Sequence, residues 1–266
     1  MSLIEHLEDL RRRVFRSLMI LAVAWTVTWI FHDRIYSYVN GVALEGLPKE
    51  LNYREAFLSV TDPFMLKLKV SFYFGMLLAL PFMVLQLWGF VAPGLKPRER
   101  KPFQIIGPLS VLLFGIGCWF CWMIIPSAMQ WFASIALDSF RGTQINQEPG
   151  RLVFFIINMM LAFGLGFQLP LIVYFLAKVG ILPMATIHQY WRHAIVGIFF
   201  AAGALTPSND PFSMMMLAVP LCILFALSVL AVKWTTKPLP DDYDIPAEEP
   251  IEEPKSAKDS VPFSGD

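Results

Sequence analysis

Charge is scarce in this chain: only 16% of its 266 residues are Asp, Glu, Lys or Arg, against 56% hydrophobic and 14% aromatic, with a mean hydropathy of +0.56. A soluble globular domain carries about 25% charged residues, so the composition excludes that class and describes a polytopic membrane protein. The formal net charge is zero, which argues against a nucleic-acid partner. Cysteine is scarcer still, with three residues. Cys118 and Cys121 form "CWFC", and Cys222 stands alone; inside apolar runs these read as small hydrophobes rather than a redox pair. No nucleotide-binding motif is visible. The stretch "HLEDL" lacks the second histidine of a zinc-protease motif, and no Ser/His or paired-acid set shares one membrane depth. The chain is therefore expected not to be an enzyme, and to need no cofactor or metal. The first apolar run has no small-residue cleavage site close behind it, so it reads as a retained span. No internal repeat or inverted pair of broken helices marks a secondary transporter.

What is there, instead, is a series of apolar runs. A span of about 30 Å of hydrocarbon takes roughly 20 residues, and six runs qualify or nearly so: 14–31, 65–91, 103–126, 152–177, 194–206 and 212–232. An all-α fold with six transmembrane helices follows, helices five and six being short. "TDPF" predicts that the second span starts at Pro63, with Asp62 capping it. Pro126 should kink the third span rather than end it. The fifth run is too short for an unperturbed bilayer, so either Tyr190 and Trp191 extend it or the bilayer thins around it.

Basic residues orient the spans. Arg11, Arg12, Arg13 and Arg16 precede span one; Lys96, Arg98, Arg100 and Lys101 follow span two; Lys178 and Arg192 flank the loop after span four; Lys233 and Lys237 follow span six. With six crossings all four groups share one side, which places both termini in the cytoplasm. Residues 1–236 read as one six-helix transmembrane domain. The Pro-rich, acidic tail 237–266 cannot bury enough apolar surface to offset its ordering entropy and is expected to be disordered.

Near the N-terminus Leu3, Leu7, Leu10 and Val14 recur at helical spacing, predicting a short amphipathic helix along the interface before span one. On its other face Glu8–Arg12 and Asp9–Arg13 are pairs at i,i+4 with the acid first, each worth a few tenths of a kcal/mol in an exposed helix. Such pairs can be plain solvated contacts. A second acid, Glu99, lies in "APGLKPRERKPF" on the same expected membrane side. Acids on one face suit a guanidinium ligand, which binds carboxylates through bidentate, charge-assisted hydrogen bonds.

Four ordered stretches carry a resemblance. "HLEDLRRR", "QLWGFVAPGLKPRER", "FGLGFQLPL" and "LTPSNDPFS" are similar to the signature segments of the TatC family, the multi-span receptor subunit of the twin-arginine protein translocase, over nearly the whole chain except the tail. The resemblance implies a receptor in the bacterial cytoplasmic (inner) membrane. It would bind Arg-Arg signal peptides of folded proteins at its cytoplasmic face and nucleate a translocation complex driven by the proton motive force. It implies as partners those signal peptides, single-span subunits of the TatA and TatB type, further copies of itself and the lipid bilayer. Asp9 and Glu99 match the family's arginine-binding acids, with Glu8 a neighbour; His6, Leu10 and Arg11 match the first motif, and Phe90 and Pro93 the loop motif. Pro48 falls at the first extracytoplasmic loop, where a structural or assembly role is implied. Thr206 matches the docking site for single-span partners, and Met214 falls where some members have a polar residue. Asp210 matches an acid of the loop before span six, where an N-cap is an equally good reading.

The chain departs from the family at Gln168, which stands where a glutamate is usual. Glutamine cannot change charge. It either hydrogen-bonds another helix or draws water toward mid-membrane. The rival functions are a small-solute transporter, supported only by Gln168 and Asn158, and an intramembrane enzyme.

Overall fold

The computed structural model describes residues 3–48, 53–91, 100–139, 145–178, 182–206 and 210–235. Glu99, Pro93, Pro207 and the tail lie outside them. The described chain folds as eight helices and two short strands: α1 Leu3–Ile30, α2 His32–Glu45, β1 Tyr53–Glu55, α3 Asp62–Val91, α4 Arg100–Ser139, β2 Ile145–Gln147, α5 Arg151–Gly166, α6 Leu169–Lys178, α7 Met184–Leu205 and α8 Pro211–Thr235.

Among the described residues five stretches are long and apolar enough to cross a membrane: Glu5–Ile30, Asp62–Phe90, Ile106–Ser139, Arg151–Ala177 and Pro211–Trp234. The fifth expected run lies in α7, a helix of 22 residues that begins at Met184, so Tyr190 and Trp191 do extend it. At 25 residues, α8 is not short, since 1.5 Å per residue gives it about 37 Å.

Local chemistry explains most element ends. α3 starts within one residue of the expected Pro63, but Asp62 does not cap it in the expected way: its Oδ2 accepts the N–H groups of Leu58 (3.1 Å) and Ser59 (2.7 Å) from the preceding turn. α4 runs through both Pro108 and Pro126 to Ser139, as the apolar pattern beyond Pro126 predicts. The N-terminal stretch is not a separate interfacial helix. It continues without a break into span one as α1, because no Gly or Pro interrupts residues 3–30.

α2 was not legible as a helix. Its buried residues His32, Val39 and Ala43 fall at spacings of seven and four, one side of a helix that packs on α3, α4 and α5. Span four is interrupted, because Pro170 has no N–H to return to the carbonyl of Gly166. Phe167 and Gln168 form a tight turn, with the Gln168 N–H donating to Leu165 O at 3.0 Å, before α6 resumes.

α1 and α3 are antiparallel neighbours along their length: Thr28 Oγ1 donates to Ser71 O at 2.6 Å near one end and Arg13 reaches Gln86 near the other. Backbones touch between them at Gly75, where a Cβ would stand 2.7 Å from the Trp25 Cα. The core lies among α3, α4, α5 and α8, with Phe163, Ile156, Ile157, Leu217 and Leu221 fully buried. Gly117 lets α4 rest on the Phe163 carbonyl, 2.7 Å from where its Cβ would be. β1 and β2 pair in parallel, Tyr53 opposite Ile145. They join the segment after span one to the segment after span three at one end of the bundle. The start of α1 and the end of α3 lie at the other.

Candidate functional site

The first motif occupies the opening turns of α1, where helical spacing puts His6, Asp9 and Arg13 on one side. The Arg13 Nε donates to Asp9 Oδ2 at 2.8 Å, with both side chains roughly three-quarters buried. Its Nη1 points to the Gln86 carbonyl at 3.5 Å and lies against Gly89, whose missing side chain leaves room for the guanidinium. One turn earlier, the His6 ring stacks on Phe90 at 4.4 Å between centroids, the planes 24° apart. Two stretches more than 70 residues apart in sequence thus meet through a stacked pair and a charged bridge.

Asp9 is consequently oriented. Arg13 engages one of its oxygens, leaving Oδ1 for a further donor, and the other expected ion pair, Glu8 with Arg12, does not form. Glu8, Leu10 and Arg11 are exposed. So are Leu7 and Val14, which continue the apolar stripe. Glu99 is outside the described residues; Arg100, its neighbour in sequence, opens α4.

Gln168, 4% exposed, sits at the break between α5 and α6. Both ends of its amide are engaged by one residue of α4: Ser110 Oγ donates to Gln168 Oε1 at 2.8 Å, and Gln168 Nε2 donates to Ser110 O at 2.9 Å. Ser110 is itself fully buried. This is the interhelical hydrogen bond of the two readings, closed as a ring. Sequence reasoning missed Ser110, since nothing in "GPLSVLLFG" sets it apart from a helix serine bonded to its own backbone.

The remaining candidates lie at the β1–β2 end. Thr206 is buried at the C-terminus of α7, its hydroxyl donating to Gly203 O at 3.3 Å. Met214 packs on Gly203 from α8. Asp210 Oδ1 accepts the Ser213 N–H at 2.8 Å, which makes it the N-cap of α8. Pro48 is half-buried just after Gly46, which packs on Pro126 and Met129 of α4.

This end also holds a polar cluster that sequence reasoning did not find. Tyr53 donates to Glu55 Oε1 at 3.0 Å, and burial first, then Glu55, pushes the Tyr53 phenol above its ordinary value. The Tyr36 phenol is pushed up to about 12 by burial and then by Glu55. His32 Nδ1 lies 3.0 Å from Asp33 Oδ1, with Lys67 at 3.8 Å; the His32 hydrogen bond and then Lys67 hold the Asp33 carboxyl below its usual range. A cavity of about 510 Å3 opens beside the cluster, with Tyr53, Gln147, Arg151 and Asn158 as its polar lining and Phe132, Phe154 and Phe155 among the apolar. Among the described residues no group of His, Cys, Asp and Glu could hold a metal ion.

Comparison with known proteins places this architecture. Residues 5–220 match the family described as TatC, Sec-independent protein translocase protein. The Sec-independent protein translocase protein TatC of Carboxydothermus hydrogenoformans is 33% identical over 236 residues, covering 88% of this chain and 93% of that protein. The TatC protein of Helicobacter pylori strain 26695 is 33% identical over 241 residues, with 89% of each chain covered. Two solved structures share the fold. A crystal structure of the twin arginine translocase receptor TatC superposes with a TM-score of 0.74 at 24% identity, covering 87% of this chain and 100% of that one. A second, in DDM, gives 0.70 at 25% identity, covering 85% and 98%.

Proposed function

This chain belongs to the TatC family of Sec-independent protein translocase proteins, multi-pass membrane proteins, and we propose that it is the subunit that recognises signal peptides with two adjacent arginines. The observation that supports this most is the convergence of α1 and α3. His6 on Phe90, and Arg13 bridging Asp9 to the end of α3, set the first motif beside the end of the helix that leads into the loop containing Glu99. Asp9 then presents one free carboxylate oxygen in a partly shielded position, and Glu99 supplies the second acid. Each charge-assisted hydrogen bond contributes about 1.5–3 kcal/mol, and lysine would forfeit the bidentate geometry.

In this reading the chain crosses the membrane six times with both ends in the cytoplasm, in a bacterial inner membrane, and assembles with single-span subunits and further copies of itself. The tail is dispensable. It catalyses no reaction; the membrane potential supplies about 2.3 kcal/mol per charge per 100 mV. Gln168 serves as a clamp between α4 and α6 rather than as a solute site, because Ser110 occupies both ends of its amide. Thr206, Met214 and Pro48 shape the surface at which single-span partners dock.

The test is peptide binding to the purified chain. An Arg-Arg signal peptide is expected to bind and a Lys-Lys peptide not. Glu99→Gln, and Asp9→Asn more partially, are expected to weaken the Arg-Arg peptide while the protein stays membrane-inserted. Unchanged affinity in both variants would overturn the assignment.

A further inference from the structure

Between β1 and α3 the chain makes a turn whose composition does not suit water. Residues 56–61, "AFLSVT", carry no charge, and Val60 is 97% exposed, Leu58 80% and Phe57 47%. The turn is firmly built. The Ala56 N–H donates to Gln147 O at 3.2 Å, tying its start to β2; the Leu58 and Ser59 N–H groups converge on Asp62 Oδ2; Ser59 Oγ and Thr61 Oγ1 are 3.0 Å apart. Its polar groups are thus bonded to one another, while its large apolar side chains stand exposed. A turn meant for water has the opposite arrangement.

Its surroundings identify what covers it. The turn sits against Asp62, the first residue of α3. Beside it, Phe64 contacts Trp29 edge-on at 6.5 Å, and the Lys67 ammonium lies 5.5 Å over the Trp29 ring. Tryptophan with a cation at the end of an apolar span marks the headgroup level of a bilayer. Ile30 at the end of α1, Phe31 just after it, and Phe64 and Met65 of α3 are further exposed apolar side chains at this end. We propose that the 57–60 turn is an interfacial anchor, inserting Phe57, Leu58 and Val60 into the lipid leaflet at the β1–β2 end of the molecule. It fastens the extramembrane cluster of α2, β1 and β2 to the bilayer surface through Asp62.

The test uses single cysteines at Leu58, Val60 and Arg54, spin-labelled in the full chain reconstituted alone in phosphatidylcholine vesicles. The native chain treated identically gives the blank from Cys118, Cys121 and Cys222. Labels at 58 and 60 are expected to collide more with oxygen than with a polar nickel chelate, and the label at 54, on the exposed side of β1, to do the reverse. If labels at 58 and 60 are as accessible to the chelate as the label at 54, the anchor does not exist. Immersion that appears only when a single-span partner is added would likewise overturn it, since the turn would then be a protein contact. A Leu58→Ser/Val60→Ser chain spin-labelled at Met65→Cys tests the fastening separately: it should move that label toward the chelate, and an unshifted label would show that the turn holds nothing in place.

Discussion

The two ends of this helix bundle are built in different ways. At the end where α1 begins and α3 finishes, the contacts are a partly exposed ion pair, one stacked ring pair and an arginine over a glycine. At the opposite end, α2, two strands from distant loops and the first turns of α3 and α5 enclose tyrosines, a histidine and a glutamate, beside a cavity. The first end is open enough for a carboxylate to meet a ligand. The second end has to hold its shape outside the membrane. It does so by burying aromatic and polar groups on one another, which raises the Tyr36 and Tyr53 phenols.

The sharpest way to break the comparison is to part the helix pair that spans both ends. Gly75→Val sets new atoms against the α1 backbone at Trp25. Overpacking typically costs about 1–3 kcal/mol, and here rigid backbone is the obstacle, so the upper end is expected. Thermal melting in detergent should fall by several degrees, and Arg-Arg peptide binding should be lost with it.

Alkaline titration distinguishes the ends without mutation. A phenol whose folded value rises from 10.0 to about 12 binds its proton more tightly in the folded state. Its contribution is therefore fully present below pH 10 and is lost as pH climbs from 10 to 12. Hydrogen exchange should show the β1–β2 end opening over that window before the α1–α3 seam at Arg13 does, and Tyr36→Phe should remove part of the effect.

A smaller effect is expected at mid-membrane. Ser110→Ala leaves Gln168 Oε1 without its donor, and a double-mutant cycle with Gln168→Leu should give a coupling of about 0.6 kcal/mol, and no more than about 1.7. A coupling of zero would mean that the two residues do not hold α4 to α6. Export supported by Gln168→Leu should stay close to that of the unaltered chain if the residue is a clamp.

The smallest changes in stability are expected at the recognition end. Asp9→Asn breaks the bridge to Arg13, but an ion pair with a quarter of each side chain exposed contributes less than about 1 kcal/mol; its consequence should be a fall in peptide affinity instead. Glu8→Gln should alter neither melting nor binding. Equal losses for Glu8 and Asp9 would mean that net charge, not the oriented carboxylate, attracts the ligand.

Local physics explains which parts of this protein can be read from its letters. The α3 start at "TDPF" and the passage of α4 through Pro126 depend on neighbours within a few residues, and they stand where the sequence puts them; the apolar runs lie within helices, the fifth lengthened into α7 and the fourth broken at Phe167 and Gln168. The candidate acids could be picked out because charge is rare enough here that each instance stands out; Asp9 lies beside the end of α3 through Arg13, and Glu99 lies outside the described residues. α2 escaped notice because only one side of it is apolar and that side includes His32 and Asn40. The independent interfacial helix expected at residues 3–17 proved continuous with span one, since nothing in the backbone ends it.

Sequence by itself determined the helical membrane character, the apolar stretches and the family signature, but not the two short strands. Tertiary structure alone decided which residues face each other. Ser110 closes on Gln168 58 residues away, Phe90 receives His6, Tyr53 pairs opposite Ile145, and Asp62 turns back to hold the loop before it rather than the helix after it. Propensity and hydropathy are summed along the chain. A hydrogen bond or a stacked ring depends on where a partner stands in space, and that position exists only once the helices have packed.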